Sequence, residues 1–258
     1  MKLVVTTTLS KIDMNEFLAE FLIETNLPFI AREDRSIVSI QEDYRADGVI
    51  VWNREGPVLY IKGEKFFYHP SMAKTRISFF RQTGTNDPLI NALGLRNNDK
   101  LLDCTLGLGA DATVASYFNP SAQVVALESS SPIAWIVKWG MKLYNSKMEW
   151  LNEAIHRIEV INSEHLAYFK LLPDSSFDIV YFDPMFRKPL LKSTAISPLR
   201  LLANHNPLTP SSIEEACRIA RRRVVVKEVA GSEEFDQLGI NTFISSPNNK
   251  ITYGIIDL

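Results

Sequence analysis

The stretch "LLDCTLGLGADA", residues 101–112, sets an acid, two glycines and a second acid within nine residues, Asp103 to Asp111. An apolar run leads into it, so it reads as a strand that turns sharply into a helix. Gly107 and Gly109 sit at that turn, where the missing side chain permits the bend and lets a ligand approach the backbone. Downstream the pattern alternates strictly. "QVVALE" (123–128), "RIEVIN" (157–162), "FDIVYFD" (177–183) and "RRVVVKE" (222–228) read as strands, with helices between them at about 132–144, 164–171 and "SSIEEACRIA". Apolar strands separated by helices imply a parallel sheet covered on both faces. The tail, "NTFISS-PNN-KITYGIIDL", is two strands joined by a turn too short for a crossover, so the last strand runs antiparallel to its neighbour. A Rossmann-like α/β sheet that ends this way has the class I methyltransferase arrangement, whereas dehydrogenases end in a sixth parallel strand.

Upstream lies a different rhythm. "KLVVTTT" reads as a strand and "MNEFLAEFLIET" as a helix; "DGVIVWN" and "PVLYIKG" flank a hairpin turn, and "EKFFYHP" adds a strand. Residues 1–66 are expected to form a small α/β appendage and 67–258 the main domain. Ser71 and Asp87 read as helix N-caps of the two helices that join them. The chain has 258 residues, 46% hydrophobic and 22% charged, which suits a sizeable core and excludes a disordered chain. Net charge is −2, so affinity for nucleic acid requires a local patch. Cys104 and Cys217 have no metal-ligand spacing, and no metal site is expected. Without a signal peptide or an apolar run of roughly 18 residues, a cytoplasmic protein with reduced thiols and no membrane association is expected.

The acids beside the glycines choose between two cofactors. A dinucleotide would bring a pyrophosphate to this turn, and flanking carboxylates would repel it. S-adenosylmethionine presents a sulfonium, an ammonium and a ribose there. Asp103 at the strand end can face the cationic amino-acid part, Asp111 also gains from the helix dipole, and Glu128 can accept the ribose hydroxyls. The same residues can be read as a helix-capping acid at Asp111 and a surface acid at Glu128. Cys104 and Thr105 are packing and turn residues, with Thr105 grouped among the cofactor contacts of the turn. Glu164 and His165, after the third strand, are placed to read the adenine edge; the alternative is that Ser163 simply caps the helix. Ser71 or Arg76, upstream, is expected near the cofactor carboxylate.

A second signal is "YFDPMF" (181–186). It resembles the (Asn/Asp)-Pro-Pro-(Tyr/Phe) box of methyltransferases that act on amino groups of nucleobases or glutamine. An exocyclic amine is a poor nucleophile because its lone pair is delocalised. Asp183 and the Pro184 carbonyl can accept its N–H bonds and so orient the nitrogen, while Phe186 can stack on the base. No Pro-Cys dipeptide occurs, which argues against pyrimidine C5 methylation through a Cys nucleophile. From Pro184 to Ile213 there is no acid, yet Arg187, Lys188, Lys192 and Arg200 occur, a concentration of positive charge suited to RNA phosphates. "RIARRR" (218–223) is a further basic cluster, in which Arg221 and Arg222 read as helix C-terminal charges.

In order along the chain, "LLDCTLGLGADA", "ALES", "VYFDPMF", "KSTAISPLR" and "RRVVVKE" resemble the small-subunit ribosomal RNA guanine-N2 methyltransferases of the RsmJ type, over roughly residues 95–230. The Asp-Pro-Met-Phe box, with Met185 in place of a second Pro, is the most specific element. "SPLR" stands where that family has a more basic run, and "FFYHPSMAKTRI" looks like an uncharacterised Gram-positive branch. The resemblance implies an S-adenosylmethionine enzyme with cofactor contacts at Ala110, Asp111, Glu128, Ser129, Glu164, His165 and Asp183, acting on ribosomal RNA. An NAD-dependent oxidoreductase and a non-catalytic RNA-binding module with this fold are the competing readings.

Overall fold

The computed structural model describes residues 1–9, 15–185, 197–245 and 250–258. The N-terminal part runs β1 (Leu3–Thr7), α1 (Glu16–Thr25), α2 (Ile37–Tyr44), β2 (Gly48–Asn53), β3 (Gly56–Ile61) and β4 (Glu64–Phe67). Its sheet has the order β1-β2-β3-β4, with β1 parallel to β2 and the rest antiparallel. Asn15 caps α1: its side chain accepts the Leu18 N–H at 2.8 Å.

Two linking helices follow, α3 (Ser71–Thr83) and α4 (Pro88–Leu93). Asp87 caps α4 with Pro88 in its first turn. Ser71 does not cap α3: the cap position is Pro70, and the Ser71 hydroxyl instead pairs with His69 Nδ1 at 2.9 Å.

The main unit runs β5 (Leu101–Asp103), α5 (Ala110–Phe118), β6 (Val124–Glu128), α6 (Ser131–Leu143), α7 (Glu149–His156), β7 (Ile158–Asn162), α8 (His165–Phe169), β8 (Phe177–Phe182), α9 (Ser197–Leu202), α10 (Pro210–Ile219), β9 (Ala220–Val229), α11 (Glu234–Gln237), β10 (Thr242–Ser245) and β11 (Ile251–Asp257). Sheet order is β10-β11-β9-β8-β5-β6-β7. β11 is antiparallel both to β10 and to β9, and it enters the sheet between them. The first strand is shorter than its apolar run, because the Asp103 carboxylate accepts the Thr105 N–H at 3.0 Å and turns the chain early. Helix α7 is absent from the sequence reading. Its apolar residues Leu151, Ala154 and Ile155 are at helical spacing, but they fall in a short segment beside a strand.

Arg221 and Arg222 lie on β9 rather than at a helix end. Arg221 pairs with Asp178 at 3.4 Å, Arg222 with Asp99, and Arg223 with Asp257 at 2.6 Å. One apolar core runs through both sheets, from Leu3, Phe21 and Trp52 to Trp139 of α6 and Leu101 and Ile179 of the large sheet. Phe21, Trp52 and Trp139 form a cluster with ring centroids 5.1–5.8 Å apart.

Candidate active site

The C-terminal ends of β5, β6, β7 and β8 open on a cavity of about 470 Å³. Chain order reverses between β8 and β5, so the cavity lies at the topological switch point where open α/β sheets bind ligands. Its volume falls within the range of small-molecule sites.

The glycine turn is built as the residue types require. Gly107 and Gly109 have φ of 52° and 69°, and a Cβ on Gly109 would sit 2.2 Å from Met141 Cε. A Cβ on Gly107 would meet nothing closer than 3.9 Å, so that position opens on space rather than on packing. Glu128, at the end of β6, holds this turn to the next helix. Its carboxylate accepts N–H bonds from Gly107 at 3.1 Å and Ser130 at 2.8 Å. Burial raises its pKa, against the amide N–H donors.

Of the residues picked from the sequence, Thr105, Gly107, Ala110, Asp111, Glu128 and Ser129 line the cavity. Glu164, His165, Asp183 and Pro184 line it too. Asp103 and Gly109 do not. Asp103 is 1% exposed and spends its carboxylate on Thr105. Burial, with Asp111 and Asp183 nearby, pushes its pKa up to about 8. Phe186, Arg187, Lys188 and Lys192 lie outside the described residues. Arg200 is on α9, where its backbone carbonyl accepts from His205 Nε2 at 2.7 Å.

At the end of β7, Glu164 rather than Ser163 caps α8: its side chain accepts the Ala167 N–H at 3.0 Å. The other Glu164 oxygen takes His165 Nδ1 at 2.8 Å, which leaves Nε2 to meet Ser212 Oγ at 2.9 Å. The His165 ring packs edge-on against Phe169 and Phe182, and burial lowers its pKa.

The charged heart of the site comes from four elements. Asp111 on α5 accepts from Lys227 Nζ at 2.9 Å, from Tyr181 Oη at 2.7 Å and from Arg76. Arg76, on α3, also makes a two-pronged pair with Asp87, 2.8 Å at each contact. Burial opposes the Asp111 charge, but Lys227 and Arg76 outweigh it and hold the carboxyl well below its usual range. Arg76 lines the cavity and Ser71 does not.

Lys227 on β9 is the residue the sequence reading passed over. Its ammonium also reaches Asp183 at 2.7 Å, so one cation joins two carboxylates. The available signal was a lysine inside an otherwise apolar strand, "VVVKE". The Asp183 backbone N–H donates to Thr105 Oγ1 at 2.6 Å, which ties the Asp-Pro turn to the glycine loop. The Asp183 side chain keeps 28% exposure, at the cavity. Burial, opposed by Lys227 and reinforced by Asp111, pushes its pKa up to about 6.

These residues fit S-adenosylmethionine. Glu128 stands at the second strand end for a ribose, and Arg76 and the Asp111 cluster offer charges of both signs for an amino-acid group. Among the described residues no cluster of His, Cys, Asp or Glu is arranged to hold a metal, and no helix is long and apolar enough to cross a membrane.

Residues 67–251 match the family described as "Putative SAM-dependent methyltransferase". The chain is 38% identical over 235 residues to the uncharacterized protein YpiP of Bacillus subtilis (strain 168), covering 90% of each. It is 30% identical over 149 residues to ribosomal RNA small subunit methyltransferase J of Coxiella burnetii (strain Dugway 5J108-111), 56% of each chain. In structure it resembles a SAM-dependent methyltransferase of Neisseria gonorrhoeae, with a TM-score of 0.65 and 17% identity over 98% of this chain and 95% of that one.

Proposed function

The chain belongs to this family of SAM-dependent methyltransferases, and from that premise we propose that it methylates the exocyclic N2 amino group of a guanine in small-subunit ribosomal RNA. S-adenosylmethionine is its cofactor and supplies an electrophilic methyl group on a sulfonium. The family match removes the ground for a nicotinamide oxidoreductase.

The observation that carries the proposal is the Asp183 carboxylate at the cavity wall, held by Lys227, with the Asp183 backbone N–H tied to the Thr105 hydroxyl. Asp183 and the Pro184 carbonyl are acceptors for the two N–H bonds of an amino group. Accepting both fixes the nitrogen and directs its lone pair. Once the nitrogen has formed its new bond to carbon it must lose a proton. A carboxyl with a pKa near 6 suits that task at neutral pH. A base paired or stacked in the RNA has to be turned out to reach the cavity. Similarity to ribosomal RNA small subunit methyltransferase J supports the substrate class. Arg187, Lys188, Lys192 and Arg200 are assigned to RNA phosphates, and Phe186 to stacking on the base.

The test is mass spectrometry of ribosomal RNA from a strain lacking the gene, followed by methylation of that RNA with the purified protein. Loss of one N2-methylguanine in the small-subunit RNA, restored by the protein, is the expected result. An unchanged set of modified guanines would remove the proposal.

A further inference from the structure

A second cleft, of about 360 Å³, adjoins the first, and Leu108 of the glycine turn lines both. Its far wall is β4, the edge strand of the small sheet. Strand alternation sends Phe66 into the core at 2% exposure and sets Lys65 and Phe67 on the opposite face. Phe67 is 40% exposed, high for a phenylalanine beside a cavity. Lys65 Nζ stands 5.1 Å from the Phe67 ring centroid and 5.9 Å from that of Tyr60, its partner on β3. The His69 ring lies 5.5 Å from Phe67. Pro198 of α9 closes the other side, and Glu64 is the one acid among the described residues lining the cleft.

We propose that this cleft is a subsite for a nucleotide flanking the target in the same RNA strand, with its base on Phe67 and its phosphate at Lys65. This rests on the RNA reading above. An exposed ring bordered by an ammonium and an imidazole matches a base with its phosphate, since stacking accepts any base and the cation meets the backbone. An apolar protein partner would have to desolvate the Lys65 ammonium, whereas a phosphate keeps it paired. The shared Leu108 wall puts the subsite next to the reaction centre, so the appendage contributes to substrate choice.

The experiment uses the full chain and unmethylated 16S ribosomal RNA from the deletion strain. Phe67→Ala is expected to raise KM for RNA about 5- to 100-fold, the usual weight of one base stack. Turnover number and affinity for S-adenosylhomocysteine should stay within about twofold of wild type, because Phe67 does not line the first cavity. Phe67→Trp should restore KM, and Lys65→Gln should raise it and lower the salt slope by about one unit. Wild-type KM in both Phe67→Ala and Lys65→Gln would overturn the subsite. So would a defect seen only on assembled small subunits and not on naked RNA, which would assign the face to a ribosomal protein. If the wild-type protein methylates no ribosomal RNA, the parent reading fails. Gel-shift affinity for single-stranded RNA then decides the cleft, and equal affinity in wild type and Phe67→Ala would overturn it.

Discussion

Lys227 holds Asp111 and Asp183 with one ammonium, and the two acids answer differently. Asp111 has Arg76 and Tyr181 as well, so its charge is secured; Asp183 has Lys227 as its cation among the described residues, and burial with Asp111 beside it pushes its pKa up to about 6. The carboxylate form of Asp183 is the stronger acceptor of amine hydrogens and the only form that can take up the proton the nitrogen loses. Activity should therefore fall as pH drops through about 6, visible as the acid limb of a kcat/KM profile. Lys227→Met removes the group that lowers this pKa, so the limb should move to higher pH; an unmoved limb would separate Lys227 from the chemistry. Asp183→Ala should cut turnover by roughly 100-fold or more with a smaller change in cofactor affinity, since it removes a positioned acceptor. Asp111→Ala leaves Arg76 and Lys227 short of a buried counter-charge. It should cost roughly 3 kcal/mol and lower Tm by on the order of 10 °C. A calorimetric scan checks this, and an unchanged Tm with weakened cofactor binding would make Asp111 a ligand contact only.

Helix α6 is the element that joins the two sheets. Trp139 on it packs with Phe21 and Trp52, while its Nε1–H donates to Glu24 at 3.0 Å. Lys138 and Lys142 reach Glu24 and Glu20 of α1. Gly140 permits this approach: a Cβ there would clash with Tyr68 Cβ, and a Cβ added to Gly56 at the start of β3 would lie 3.3 Å from the Gly140 Cα. Gly140→Ala gains about 1 kcal/mol of helix propensity, but the clash is with an atom anchored to the backbone and cannot swing away. The variant should lose net stability, by about 2 kcal/mol, as a lower denaturant midpoint. A midpoint at or above wild type would show that the sheets part without cost.

Over the whole molecule the net charge is −2, so RNA affinity must come from where the cations are placed. Arg218, Arg221, Arg222 and Arg223 are paired with acids and are poor candidates. The acid-free segment after Pro184, with Lys65 of β4, is where the proposed phosphate contacts fall. Replacing Lys188 and Lys192 by Gln removes up to two phosphate contacts. The slope of log affinity against log salt should then flatten by up to about two units, with cofactor affinity unchanged. Wild-type slope in the double variant would make the segment an ordinary solvated surface.

Local pattern alone determined the alternating sheet, the glycine turn, the β2–β3 hairpin and the antiparallel tail, because strand period, glycine freedom and turn length are properties of neighbours along the chain. The Asp87 cap and the strand-end acids Glu128 and Asp183 were legible for the same reason. Three things required the tertiary structure. The slot of β11 between β9 and β10 depends on which edge the returning chain can pair with. The burial of Asp103 beneath the turn, where Asp111 lines the cavity, depends on the direction each side chain takes once packed. The bridge from Lys227 to two acids 116 and 44 residues away depends on the fold bringing β9 beside α5 and β8. In sequence such a lysine is one polar residue in an apolar strand, and only burial without water forces it to find its partners.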